Sequence, residues 1–130
     1  MNHEIKPENL AKALIAGNAM ITVQSNRTGV HKTYHIYRVN DTYLRVKYGA
    51  KHGKILGNIR YVDVDPIFFS SRSDEETRAF EWLFRNQFNI KKLSEQVKLY
   101  HDGSCLRCGR RLTTPESIES GYGPKCIKHV

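Results

Sequence analysis

Three cysteines, Cys105, Cys108 and Cys126, are the residues of this chain best suited to chemistry, and all of them fall in its last 26 positions. Cys105-Leu106-Arg107-Cys108-Gly109 is a C-x2-C pair followed by glycine, the form of a zinc knuckle. Two thiolates at that spacing grip one ion, and glycine permits the tight backbone beyond them. Cys126 follows Gly123-Pro124 after 17 intervening residues, a spacing found between ligand pairs of small zinc modules. A disulfide framework built from three cysteines leaves one thiol over, whereas a metal uses all three, so the cysteines point to one bound Zn2+ in a reducing compartment. The simpler alternative is three free or buried thiols.

A structural zinc takes four protein ligands, so a nitrogen must complete the set. His129 stands at C-x2-H from Cys126 and faces the same side if Gly123-Pro124 starts a helical turn; His101, four residues before Cys105, folds back from an incoming strand. His101 is preferred because His129 lies next to a terminus prone to fray. A catalytic zinc keeps a position open and needs a carboxylate beside it. Glu116 and Glu119 are simpler to read as a solvated helix face, and neither the deaminase nor the H-E-x-x-H signature is present. The ion is therefore expected to be structural and the protein not an enzyme, with a zinc-dependent nuclease or hydrolase as a remote option.

The elements that must position these residues are legible in the pattern upstream. Pro7 to Ala16 reads as a short helix closed by Gly17. Four β-branched and aromatic stretches, at 19–25, 31–38, 42–48 and 54–62, are separated by turn signals at Asn26 to Gly29, Asn40-Asp41 and Gly49 to Gly53. They read as an antiparallel meander. Ser73 and Glu76 form a capping box opening a helix whose stripe of Ala79, Phe80, Leu83, Phe84 and Phe88, with Trp82 on a flank, lies across one face of that sheet. Residues 89–96 read as a polar connection and Gln96 to His101 as a short strand leading to the cysteines. Between the cysteines, Thr114-Pro115-Glu116-Ser117 opens a short helix that Gly121 closes. The expected fold class is α+β: an antiparallel sheet of about four strands with a packed helix, in a basic domain over 1–96, followed by a zinc-binding module over 97–130.

The run His101-Asp102-Gly103-Ser104-Cys105 through Ile118, and then Gly121-Tyr122-Gly123-Pro124-Lys125-Cys126, resembles a C-terminal domain of unknown function common in bacteriophage proteins. Its pattern is H-x-G-x-C-x-x-C-G-R-x-L-T-x-P-x-S-I-x-x-G-x-G-P-x-C, which this sequence follows throughout. Ile15 to Ala19 with Thr28-Gly29 is similar to the β-rich region that often precedes that domain. The resemblance implies a small phage protein with a zinc-ribbon-like end, favours His101 as a motif member, and brings no established activity.

Charge supplies the functional expectation. The chain carries +8, unevenly: from Arg27 to Arg60 eight basic residues face Asp41 alone, a balance of +7; residues 63–104 carry −2; and the segment from Cys105 onward carries +3. Two basic blocks around an acidic one suit a polyanionic partner, most often nucleic acid, although a charge that serves solubility is the plainer reading. In the third strand Tyr43, Arg45 and Lys47 alternate with Leu44, Val46 and Tyr48, so one face is basic and aromatic. Tyr37, Tyr43, Arg45, Lys47 and Arg60 thus form a candidate platform on which bases stack and phosphates pair, extended by Arg107, Arg110 and Arg111 around the knuckle. Tyrosine is also simply a good strand residue, and outer-face Lys or Arg needs no function. His31, His35 and His52 read as surface or partly packed residues. The expected function is a phage-encoded accessory protein that binds DNA or RNA; the alternative is an anti-defence protein that binds and inhibits a host protein. No leader sequence is recognisable in Met1 to Lys12 and no membrane span is expected, so a cytoplasmic protein is anticipated.

Overall fold

The computed structural model describes residues 3–49, 53–62 and 65–129. A two-residue strand β1 (Glu4–Ile5) precedes a 3-10 turn (Pro7–Asn9) and helix α1 (Leu10–Leu14). Four longer strands follow: β2 (Asn18–Ser25), β3 (His31–Arg38), β4 (Tyr43–Tyr48) and β5 (Lys54–Arg60). Then come the short strand β6 (Ile67–Phe69), helices α2 (Glu75–Arg85) and α3 (Ile90–Gln96), strand β7 (Val97–His101), helix α4 (Pro115–Ser120) and a closing 3-10 turn (Cys126–His129). The turn expected between Gly49 and Gly53, with His52 in it, falls on residues 50–52, outside the described residues.

The expectation of a sheet of about four strands is overturned. All seven strands form one antiparallel sheet in the order β1-β7-β2-β3-β4-β5-β6. Two of the extra strands are too short for alternation to mark them, and β7, the expected short strand leading to the cysteines, joins the same sheet between β1 and β2. Its register, with Ile21 opposite His101 and Ser25 opposite Val97, fixes where the chain leaves the sheet for the cysteines. Residues 89–96 are also corrected: α3 occupies them, capped by the Asn89 side chain, which accepts from the Lys92 N–H at 3.2 Å.

One sheet face carries the core. Ile21, Tyr34, Ile36, Leu44, Val46, Ile59 and Leu99 are all buried, and Leu10, Ala13 and Leu14 of α1, Phe80 and Leu83 of α2 and Leu93 of α3 join the same cluster. Phe80 is fully buried, with its ring 5.2 Å from Tyr34, 4.9 Å from Phe68 and 6.4 Å from Phe84. The Tyr34 hydroxyl donates to the Glu76 carbonyl at 2.8 Å, tying the first turn of α2 to the sheet. Phe88, expected at the end of the apolar stripe, is instead 77% exposed because α2 stops at Arg85.

The cap of α2 is Asp74, not Ser73. Its carboxylate accepts from the Thr77 N–H at 3.2 Å and from the Thr77 hydroxyl, and takes Arg72 at 2.7 Å and Lys54 at 3.1 Å. Two neutral donors and two cations outcompete a serine hydroxyl, and charge also suits the positive end of the helix dipole. The Thr77 hydroxyl and the Arg72 guanidinium hold this carboxyl well below the ordinary carboxylate range. A depressed folded-state value stabilises the fold above the unfolded carboxylate range, near pH 4, and the gain is lost as pH falls towards the folded value. Melting curves between pH 5 and pH 2.5 should therefore show wild type losing more of its Tm on acidification than Asp74→Asn, which lacks the titrating group. Equal losses would remove the assignment.

Candidate metal centre

Strand β7 ends at His101, and the next residues turn back on themselves. Asp102 accepts from the Ser104 N–H at 3.0 Å, Gly103 adopts φ 90°, and Ser104 bridges to Arg111. Inside that bridge the Cys105 N–H donates to the Arg110 carbonyl at 2.8 Å, and the Gly109 N–H donates to the Cys105 carbonyl at 2.8 Å. This is the knuckle. Gly109 has φ 81°, and a Cβ there would stand 2.5 Å from Nδ2 of Asn18, so glycine both permits the turn and lets it rest on the start of β2. The Asn18 N–H in turn donates to the Leu106 carbonyl at 2.9 Å. On the other side, Thr114 caps α4 by accepting from the Ser117 N–H at 3.2 Å, and Gly121, with φ 84°, ends it in the left-handed region. The reversed chain then brings Cys126 to the knuckle.

The Sγ atoms of Cys105, Cys108 and Cys126 all lie within 4.8 Å of one another. Tetrahedral zinc–thiolate bonds of about 2.3 Å put sulfurs roughly 3.8 Å apart, so this spacing accommodates one ion with only small adjustment. Cys105 and Cys126 are buried and Cys108 is exposed. Burial opposes ionisation of Cys105, but the N–H groups of Gly123, Cys108 and Arg107 outweigh it and bring the thiol down to about 7; Gly123 N lies 3.4 Å from the sulfur. Burial pushes the Cys126 thiol up, partly offset by the Arg107 guanidinium, whose Nη1 is 3.8 Å from that sulfur. The cluster is a possible metal site.

Residues 100–130 match a family of unknown function, DUF6011. No curated protein and no solved structure matches the chain. The matched segment contains all three cysteines and the whole reversed chain that assembles them.

The structure does not bring either expected histidine into the cluster. His101 is buried with both ring nitrogens engaged: Nε2–H donates to the Ile118 carbonyl at 2.6 Å, and Nδ1 accepts from the Gly103 N–H at 3.0 Å. Its ring stacks on His3 at 5.1 Å, and burial holds its pKa below the ordinary histidine value. That geometry makes His101 a clamp between the end of β7 and the end of α4. His129 is exposed on the final 3-10 turn. Among the described residues, no histidine, aspartate or glutamate joins the three sulfurs.

The sheet face opposite the core gathers the other expected residues. Cross-strand rows set Asn18 opposite Tyr37, Tyr37 opposite Arg45, Arg45 opposite Asn58, and Asn58 opposite Phe69. The next row sets Tyr43 opposite Arg60 and Arg60 opposite Ile67, while Lys47 lies opposite His35 on one side and Ile55 on the other. Tyr37, Tyr43, Arg45, Lys47 and Arg60 therefore share one face. Arg45 Nε donates to Asn58 Oδ1 at 3.5 Å, and His35 Nε2–H donates to Asn18 Oδ1 at 2.7 Å. Burial and the Lys47 ammonium lower the His35 pKa, which keeps its ring neutral within a basic surface. Because Asn18 also supports Gly109, this face runs directly into the knuckle that bears Arg107, Arg110 and Arg111. Arg110 and Arg111 are exposed there, on the strand-like return from the turn.

One residue of this face escaped the sequence reading. Phe69 is 45% exposed and meets Tyr43 edge to face at 5.9 Å. Phe68 turns inward onto Phe80, so its two neighbours on the strand turn outward, an orientation that three residues are too few to signal in the sequence. Among the described residues, no helix is long and apolar enough to cross a membrane.

Proposed function

We propose that this protein is a phage-encoded accessory protein that binds nucleic acid across the outer sheet face and the arginine-bearing knuckle, with zinc holding the knuckle rigid. The observation that carries this reading is the continuity of the surface: Tyr37, Tyr43, Arg45, Lys47 and Arg60 on adjacent strands, joined through Asn18 to the turn between Cys105 and Cys108. The half-buried Tyr37 and Tyr43 and the exposed Phe69 offer rings on which bases stack, and the cations between them follow phosphates. Zinc fits the donor set because thiolates are soft ligands and three lie at coordination spacing. The phage origin rests on the long cysteine motif. A cytoplasmic setting follows from the same chemistry, since reduced thiolates persist there.

Fluorescence anisotropy with labelled oligonucleotides at increasing salt tests the proposal. Wild type should lose affinity steeply with salt, because each phosphate contact releases counterions. Arg45→Ala with Lys47→Ala should weaken binding and flatten the log–log slope by about 0.7 per lost contact on single strands or about 0.9 on duplexes. Absent or salt-insensitive binding would sink the proposal. A second reading, contact with a host protein, draws on Phe88, which projects at the α2–α3 junction on the border of a groove with Ile67 and Phe84. Capture of a partner from nuclease-treated extract, abolished by Phe88→Ala, would favour it.

A further inference from the structure

Three sulfurs give an ion three donors, and tetrahedral zinc takes four. Among the described residues neither expected histidine stands with the sulfurs: His101 spends both ring nitrogens on backbone groups of Ile118 and Gly103, and His129 is exposed on the closing 3-10 turn. The side that remains is a cleft of about 450 Å³, and all three cysteines line it. Its other walls include Leu112, Thr114, Arg110, Arg111 and Lys125. Cys108 is exposed, so solvent reaches the sulfurs through this cleft.

Charge decides what enters. Three thiolates around a divalent cation leave the centre at −1, and the Arg107 guanidinium beside Cys126 offsets that charge from outside the cleft. Arg110, Arg111 and Lys125 then add a positive field along the cleft walls, and among the described residues no acidic side chain lines it. A donor drawn from solution into such a cleft is an anion.

We infer that the ion held by Cys105, Cys108 and Cys126 keeps one coordination position open to this cleft and accepts a small anion there. The inference rests on the metal reading above and goes beyond it, because a purely structural ion is closed by four protein ligands and has no position to exchange. It makes the knuckle a ligand-binding centre as well as a staple. Arg107, which touches a sulfur and not the cleft, acts as a positioning residue that keeps Cys126 a good ligand.

The test uses the full chain loaded with Co2+ in place of zinc and azide as the probe. Thiolate-to-cobalt and d–d absorption bands report the donor set, and an exchangeable position answers azide with a saturable shift of the d–d bands. His101→Gln, which keeps a hydrogen-bond donor in the buried site, and His129→Ala should both start from the wild-type spectrum and respond to azide as wild type does. The Arg110→Ala, Lys125→Ala double variant should bind azide about tenfold more weakly. A starting spectrum altered in either histidine variant would identify a protein fourth ligand and overturn the inference. Cobalt that binds but ignores azide would overturn it equally, by showing the position closed. Cobalt that does not bind at all would overturn it by removing the metal centre itself, a failure distinguishable from a closed site.

Discussion

Cys105→Ser should retain less than about a tenth of the wild-type zinc after purification in metal-supplemented reducing buffer. The variant is nearly isosteric, so the loss reads the chemistry of the sulfur and not a cavity. A serine hydroxyl does not ionise near neutral pH and is a hard donor, while the native thiol is brought down to about 7 by the surrounding N–H groups and gives up its proton to an ion readily. Elemental analysis measures the metal, and hydrogen exchange measures what the metal does. In the variant, amides from Gly103 to Cys126 should lose protection, because a bound ion would join the knuckle to the returning chain at the three sulfurs. Amides of β3 and β4 should stay protected, since these strands lie in the middle of the sheet, where Tyr34, Ile36, Leu44 and Val46 are buried. Full zinc occupancy in Cys105→Ser would mean that the cluster is three neighbouring thiols and nothing more. Chelation of wild type should reproduce the exchange pattern of the variant, which separates loss of metal from loss of one side chain.

The parts of this architecture visible in the sequence are those with a local cause. Alternation through Met20 to Val23, Tyr34 to Arg38 and Tyr43 to Lys47, broken by turn residues, marks β2, β3 and β4 within a residue or two because period-two burial writes itself into every position. Strand β1 has two residues and β6 three, too few to alternate, and β1 depends on a partner, Tyr100, far along the chain. Helix α3 was hidden for a related reason: Leu93 is its single buried residue, so no stripe appears. The α2 cap shows competition between two local signals. Ser73 with Glu76 and Asp74 with Thr77 are offset by one position, and only the fold brings Lys54 to the aspartate.

The candidate site divides in the same way. Cys105 and Cys108 lie within one turn, so their partnership is written in their spacing, and Cys126 is returned to them by a helix with a readable start and stop. The fate of His101 is not local. Its ring is claimed by the Ile118 carbonyl, 17 residues on, which sequence spacing does not reveal. The outer face was legible strand by strand through Tyr43, Arg45 and Lys47, but the contact of Gly109 with Asn18, which joins that face to the knuckle, exists only because β7 inserts beside β2.

Phe80→Ala should destabilise the fold by about 3–5 kcal/mol, the range for removing a fully buried ring from a core that cannot collapse around the gap. The ring stands between Tyr34 on β3, Phe68 on β6 and Phe84 one turn along α2, all of them anchored by other contacts, so the cavity should persist. For a chain of this length the loss corresponds to a fall in Tm of roughly 10–20 °C. Phe88→Ala, at an exposed phenylalanine only eight residues away, should change stability by less than about 0.5 kcal/mol. The contrast carries the argument about function. Phe80 fixes α2 to the core face of the sheet, opposite the face that carries Tyr37, Arg45 and Arg60. If that opposite face is a binding surface, its variants should follow the reverse rule: Arg45→Ala and Arg60→Ala should leave Tm nearly unchanged and cost affinity, while Phe80→Ala at a temperature where it remains folded should cost Tm and leave affinity near wild type. Binding that falls in proportion to stability across all of these variants would mean that the face contributes to the scaffold and not to recognition.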